Sequence, residues 1–128
     1  MNFTFSKKER LCSRKQIQQL FSSKETVTSF PFRILYRLVP ADDEVRVQVL
    51  FSVPKKLFKR AVKRNLIRRR AKEAFRLNKH LLYEFIPKNH KLHLMFIYFD
   101  EKIQSYNSIK KGVSKGIEKM GKYFNETF

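Results

Sequence analysis

Hydrolysis of a phosphodiester needs clustered carboxylates to hold metal ions, or a positioned general acid and base. The carboxylates of this 128-residue chain are scattered: Glu9, Glu25, Asp42, Asp43, Glu44, Glu73, Glu84, Asp100, Glu101, Glu118 and Glu126. The triplet at 42–44 could hold a cation loosely, but a solvated turn is the plainer expectation. His90 and His93 lie three apart at the start of an extended segment, so they are expected on opposite faces and make a poor metal pair. His80 and the single cysteine, Cys12, have no companion legible in the sequence. No catalytic residue and no metal site is therefore expected in the protein. The cations are another matter. Residues 55–72 contain ten, at Lys55, Lys56, Lys59, Arg60, Lys63, Arg64, Arg68, Arg69, Arg70 and Lys72, and no acid occurs from residue 45 through 72. The planar fork of arginine can grip a phosphate through two parallel N–H donors, and lysine supplies a point charge. The chemistry on offer is the binding of a polyanion.

Periodicity separates a folded basic surface from a disordered basic tail. At about 100° per residue, Ile67, Ala71, Ala74, Phe75, Leu81 and Leu82 fall on one side of a helix. Asn65, Arg68, Arg69, Lys72 and Arg76 fall on the other, at i, i+3, i+4, i+7 and i+11. The spacing predicts a helix over residues 60–83, buried along one side and cationic along the other. Like charges at i, i+4 cost about 0.2–0.5 kcal/mol per pair, which the negative charge of a partner would offset. A solvated face on an ordinary amphipathic helix is the bland alternative. The missing acids and a formal net charge of +18 weigh against it.

The remaining elements must position that helix. Residues 1–10 are expected as an extended arm. Ser13 can cap a short helix, SRKQIQQLF, with Ile17, Leu20 and Phe21 on one side. Residues 22–29 are polar and read as a loop. Residues 32–39, FRILYRLV, alternate as a strand with Phe32, Ile34, Tyr36 and Leu38 on one face. A turn at 40–44 leads to a second strand over 45–53, with Val45, Val47, Val49, Phe51 and Val53 on one face; the two are expected to pair as an antiparallel hairpin. Pro54 ends that strand because it has no N–H for the ladder. After the basic helix, Pro87 and Asn89 break the chain. Residues 92–99, LHLMFIYF, are nearly continuous apolar and fit a strand buried on both faces. A last helix over 105–124 presents Ile109, Val113, Ile117, Met120 and Phe124 to a core. Gly112 and Gly116 within it suit close packing against a neighbouring element.

Composition sets the outer limits. One domain with a real core is expected at this length. An apolar content of 42% with thirteen phenylalanines is not that of a disordered chain. A pI near 10.3 points to nucleic acid or an anionic membrane as partner. No run approaches 18 apolar residues, and residues 1–15 lack the unbroken apolar core of a signal peptide. A cytoplasmic protein is the default expectation.

The string AVKRNLIRRRAKEAFR, residues 61–76, resembles the RNR signature of the bacterial ribonuclease P protein subunit. That signature has Ala-Val, a spacer, Arg-Asn, then an apolar residue followed by two basic ones. It comes after a strand ending Ser-Val-x-Lys-Lys, here Ser52, Val53, Pro54, Lys55 and Lys56. The resemblance spans residues 11–124. It implies an α+β fold, an α-β sandwich with element order α-β-β-α-β-α and a possible short N-terminal strand. It also implies a mixed sheet, a cleft between the first helix and that sheet, and a left-handed crossover through the basic helix. Strand and helix physics alone would favour the right-handed crossover, the hand of about 98% of such units.

The functional implications follow from the same resemblance. The chain is expected to be the protein component of ribonuclease P. In that role it binds the catalytic RNA and the 5′ leader of precursor tRNA and assists endonucleolytic removal of the leader. The cleavage chemistry and its magnesium are expected on the RNA subunit. The implied partners are ribonuclease P RNA and precursor tRNA, with one protein per RNA and no membrane. Arg64, Asn65, Arg68, Arg69 and Lys72 match the family's basic helix and are assigned to RNA, with Asn65 also able to fix neighbouring arginines. Lys55 and Lys56 fit the same surface or the edge of the cleft. Ile17 and Phe21 match the family's apolar or aromatic pair in the cleft, and Tyr36 matches a strand tyrosine facing the leader. An aromatic ring can stack on an unpaired base for roughly 1–3 kcal/mol. The plain alternative for Phe21 and Tyr36 is the core. Three departures stand out: Ile17 replaces the commoner Phe, the turn 57–60 lacks the usual Gly and is one residue longer, and Leu66 occupies a usually basic position. A non-enzymatic RNA-binding protein, such as a ribosomal protein, is the alternative function. A protein-only nuclease and a membrane-surface role fit less well, the first for want of clustered acids, the second because the basic helix needs its apolar side for its own core.

Overall fold

The computed structural model describes residues 7–23 and 25–127. Residues 1–6 of the expected arm lie outside that range. Lys7–Glu9, expected to be extended, form a single 3-10 turn instead. Glu9 is drawn inward by Lys79, whose ammonium donates to both carboxylate oxygens at 2.9 and 2.8 Å. Helix α1 (Arg14–Ser22) is capped as its sequence suggests, Ser13 Oγ accepting the Gln16 N–H at 3.3 Å.

Four strands follow in one sheet: β1 (Thr26–Ser29), β2 (Phe32–Pro40), β3 (Val47–Ser52) and β4 (His90–Tyr98). Their spatial order is β1-β2-β4-β3, with β1/β2 and β2/β4 antiparallel and β3/β4 parallel. Two expectations are corrected here. The polar stretch before residue 30 contributes a strand, because Thr26, Val27 and Thr28 are β-branched and suit a pleated edge. The hairpin between β2 and β3 does not form, because β4 inserts between them. Almost every residue of β4 is buried, and only a central strand has ladder partners on both edges and cover on both faces. Burial outweighs the usual pairing of sequence neighbours. The outer edge of β3 is met by the N-terminal segment: Arg10 bridges to Val49, and the Leu11 N–H donates to the Val49 carbonyl at 3.0 Å.

The turn between β2 and β3 is solvent-exposed, as expected, and is also tied down. The Lys91 ammonium, at the start of β4, reaches Asp42 at 2.7 Å and Asp43 at 2.9 Å. Asp43 also accepts the Val45 N–H at 3.0 Å, which delays the start of β3 beyond residue 45.

Helix α2 (Ala61–Asn78) carries the basic run, followed by the single turn α3 (His80–Tyr83). One unbroken helix was expected. The ladder tightens at Lys79, where the Leu82 N–H reaches back only three residues to the Lys79 carbonyl, and Lys79 is the residue held by Glu9. Helix α4 (Tyr106–Thr127) completes the chain.

Strand periodicity now sorts the molecule into layers. One face of the sheet carries Phe32, Ile34, Tyr36, Val49, Phe51, Leu94 and Phe96, covered by Ile67, Ala71, Ala74 and Phe75 of α2 and by Ile109, Val113, Ile117, Met120 and Phe124 of α4. The other carries Leu35 and Met95, on which Leu11 and Leu20 pack. The result is an α+β sandwich with α2 and α4 on one side of a mixed sheet and α1 on the other. α4 approaches closely through its glycines: a Cβ on Gly112 would lie 2.5 Å from the Phe30 carbonyl oxygen, and one on Gly116 would collide with Ile34 Cδ1.

Candidate nucleic-acid interface

The buried side of α2 leaves its opposite side to solvent, and that side is cationic. Asn65, Arg68, Arg69, Lys72, Glu73 and Arg76 line a groove of about 570 Å³. Arg68 is aimed rather than free, its Nη1 donating to Asn65 Oδ1 at 2.7 Å. Arg76 pairs with Glu73 at 2.7 Å, which leaves Arg68, Arg69 and Lys72 as the helix cations of the groove with no carboxylate bonded to them among the described residues. Burial pushes the Lys72 ammonium below its ordinary pKa, and the nearby Arg10 and Arg68 guanidinium groups push it further. Arg10, Arg68 and Lys72 also line a smaller hollow of about 210 Å³ against β3, with Cys12 at its rim. Like charges gathered in this way are relieved by an anion placed among them.

Arg64 does something different. Its Nη1 donates to the Phe58 and Lys59 carbonyls, each at 2.8 Å, and so secures the turn that leads into α2. Arg70 likewise donates to the Gln104 carbonyl at 2.6 Å and ties α2 to the segment before α4. Lys55 and Lys56 are exposed on the turn after β3.

A second feature lies on the sheet face that α1 only partly covers. Register places Arg33 beside Ile97, Leu35 beside Met95 and Arg37 beside His93 on this face, with Gln48, Leu50 and Ser52 continuing it on β3. α1 sits over the Leu35 end, where Arg37 donates to Gln19 at 2.6 Å. Beyond α1 the face opens into a trough of about 450 Å³ lined by Thr28, Arg33, Pro54, Lys56, Leu57, Ile97, Tyr98 and Phe99. Lys56 joins this trough to the turn that enters the basic helix.

The residues predicted for a cleft are not all brought together. Ile17 packs against the Leu35–Met95 cluster, and Phe21 is 62% exposed on the same side. Tyr36 is on the opposite face. It is 3% exposed, packs against Tyr123 and Phe124 at ring-centroid distances of 5.9 and 5.7 Å, and its hydroxyl lies 3.5 Å from Glu25. Burial, with the Glu25 carboxylate adding to it, holds the Tyr36 phenol well above the ordinary tyrosine range. Its assignment to the cleft is corrected to the core. The sign was present in the alternation, since Tyr36 shares its face with Phe32 and Ile34. The sequence reading missed Arg10, Arg33 and Phe99, whose places depend on strand pairing that is not local.

Five of the acids are engaged structurally. Glu9 holds Lys79, Asp42 and Asp43 hold Lys91, Glu73 holds Arg76, and Asp100 accepts from Gln104. Among the described residues no three His, Cys, Asp or Glu side chains are grouped to hold a metal ion. His90 and His93 fall on opposite faces of β4; His93 is buried, its Nε2 3.1 Å from Gln48 Oε1. Burial, and then Lys91 and Arg37, depress its pKa, so it is neutral at pH 7. Among the described residues no helix is long and apolar enough to cross a membrane.

Comparison with known proteins gives a consistent picture. The family model described as Ribonuclease P matches residues 5–121. A ribonuclease P protein component from Porphyromonas gingivalis is 33% identical over 116 residues, covering 90% of this chain and 85% of that one. Another from Chlorobaculum tepidum is 33% identical over 93 residues, covering 66% of this chain and 60% of that one. Among solved structures, the Staphylococcus aureus RNase P protein superposes with a TM-score of 0.69 at 18% identity, covering 88% of this chain and 94% of that one. The Thermotoga maritima RNase P protein does so with a TM-score of 0.63 at 22% identity, covering 86% and 96%.

Proposed function

Because the chain belongs to the bacterial ribonuclease P protein family, the protein component of an RNA-containing endoribonuclease that matures tRNA 5′ ends, we propose that α2 holds ribonuclease P RNA and that the trough receives the 5′ leader of precursor tRNA. The observation that carries this reading is the segregation of charge on α2. Arg68, Arg69 and Lys72 share one open groove, Asn65 aims Arg68 into it, and Lys56, on the turn between β3 and α2, lines the trough.

The division of labour follows from the chemistry of the groups. Arg68 and Arg69 grip backbone phosphates bidentately, and Lys72 adds a charge made more effective by its partial burial. Arg64 contributes by fixing the entry to α2. In the trough, Arg33 and Lys56 offer cations to a single strand running over the apolar surface of Ile97 and Phe99. The protein's part is to position the two RNAs and screen their mutual repulsion. Bond cleavage, and the magnesium that serves it, belong to the RNA subunit in this reading, because among the described residues no three His, Cys, Asp or Glu side chains are grouped to hold a metal ion. One protein serves one RNA, in the cytoplasm.

The test is a salt titration of affinity for ribonuclease P RNA. Arg68→Ala and Arg69→Ala should each weaken binding and lower the slope of log affinity against log salt by about 0.7–0.9, the loss of one phosphate contact. Unchanged slopes would remove these side chains from the RNA interface.

A further inference from the structure

Phe99 lines the trough, and Phe30, on the turn before β2, meets it. Phe30 is 55% exposed and Phe99 43% exposed, and their rings meet edge to face at a centroid distance of 5.7 Å. Neither ring serves the cores described above. We propose that Phe30 and Phe99 form a stacking platform for an unpaired base of the leader where it leaves the trough, an assignment that rests on the leader reading given above.

Three observations carry it. First, the backbone that carries the two rings is held in place. The Phe99 N–H donates to the Pro31 carbonyl at 3.1 Å, which ties the end of β4 to the turn bearing Phe30. That turn is seated on α4: Ser29 Oγ donates to the Gly112 carbonyl at 2.7 Å, and Gly112 lies so close that any Cβ there would reach 2.8 Å from Pro31 Cδ. A ring carried on fixed backbone loses less freedom when a base stacks on it than one on a mobile segment. Second, the platform is continuous with the trough, since Phe99 lines it together with Arg33 and Lys56. Strand geometry sets the span. Arg37, under α1, and Arg33, in the open, are four residues apart, or about 13 Å at 3.3 Å per residue, and the platform lies beyond Arg33. Third, aromatic faces beside cations are the combination that binds a single strand, with phosphates taken by charge and bases by stacking. An apolar protein partner would face Arg33 and Lys56 at the same site and would have to bury both.

The experiment uses the protein reconstituted with ribonuclease P RNA, and compares affinity for leader-bearing precursor tRNA with affinity for mature tRNA. The Phe30→Ala/Phe99→Ala double variant should bind the precursor roughly 5- to 150-fold more weakly, the loss expected for a base stack, and bind mature tRNA as before. Phe99→Leu, which keeps an apolar side chain and removes the ring, should also lose precursor affinity. The chain contains no tryptophan, so Phe30→Trp supplies a single reporter. It should retain precursor affinity, and its emission should be quenched by precursor but not by mature tRNA. Thermal unfolding close to that of the parent would exclude misfolding, as both side chains are exposed. If the double variant keeps full precursor affinity while the parent still prefers precursor, the platform is wrong and the leader reading survives. If the parent itself shows no preference for precursor, both fall.

Discussion

Tyr36 and Arg68 are both polar-tipped residues that a resemblance assigns to RNA, and the structure separates them. Tyr36 is enclosed by Tyr123 and Phe124, so truncating it opens a cavity. Tyr36→Ala should destabilise the fold by about 3–5 kcal/mol in denaturant unfolding, and any loss of affinity in the surviving folded protein should be equal for precursor and mature tRNA. A loss confined to precursor would return Tyr36 to the leader path. The alternation of residues 32–38 already made Tyr36 one of an apolar set, and that local signal was the better guide. By contrast, the i, i+3, i+4, i+7 spacing of Asn65, Arg68, Arg69 and Lys72 was enough to put them on one open face. What spacing could not supply was the direction of each guanidinium. Arg64 has the same side chain as Arg68 but turns back to the Phe58 and Lys59 carbonyls, because the turn before α2 leaves those groups needing a donor.

At the level of elements, local periodicity predicted the helices and the core strands well, and it failed where pairing was distant. Nothing within residues 32–53 shows that β4, some forty residues on, will come between β2 and β3. The clue lay in β4 itself, whose unbroken apolar run needs a central place. The price of separating β2 from β3 is a turn that must be held by something other than a hairpin ladder, and Lys91 supplies the hold. Hydrogen bonds to Lys91 keep the Asp42 and Asp43 carboxyls below the usual aspartate range. Burial lowers the Lys91 pKa, but its bonds to the two aspartates outweigh that and hold it above the usual lysine value. A carboxyl with a depressed pKa stabilises the fold above its unfolded pKa and loses that contribution as pH falls through the folded value. Stability should therefore fall on acidification below about pH 4. His93 adds an earlier stage. Its depressed pKa means that the unfolded chain takes up the proton first, so stability begins to fall below about pH 6.5. In denaturant unfolding across pH, Asp42→Asn/Asp43→Asn should flatten the limb below about pH 4, while the His93 limb persists and, without the Asp42 charge that raises the His93 pKa, does not weaken. An unaltered acid limb would show that the clamp contributes nothing.

Taken whole, the molecule is a cation with two open cationic surfaces set by one sheet. α2 and α4 cover one face and turn the arginines and Lys72 outward; α1 covers half of the other and leaves a trough with its own cations. The turn carrying Lys55 and Lys56 leads from β3 to the start of α2, and Lys56 lines the trough. A formal charge of +18 on 128 residues repels itself and is relieved by a polyanion. Glu9, Asp42, Asp43 and Glu73 are taken up in ion pairs with Lys79, Lys91 and Arg76. The central claim is that this protein positions RNA for a reaction carried out by RNA. The most direct measurement is cleavage of a 5′-leader precursor tRNA at low magnesium, by the protein alone, by the cognate ribonuclease P RNA alone and by the two together. Efficient release of the leader by the pair and by neither component alone is the predicted result. Release of the leader by the protein alone would contradict it and place the chemistry on the chain.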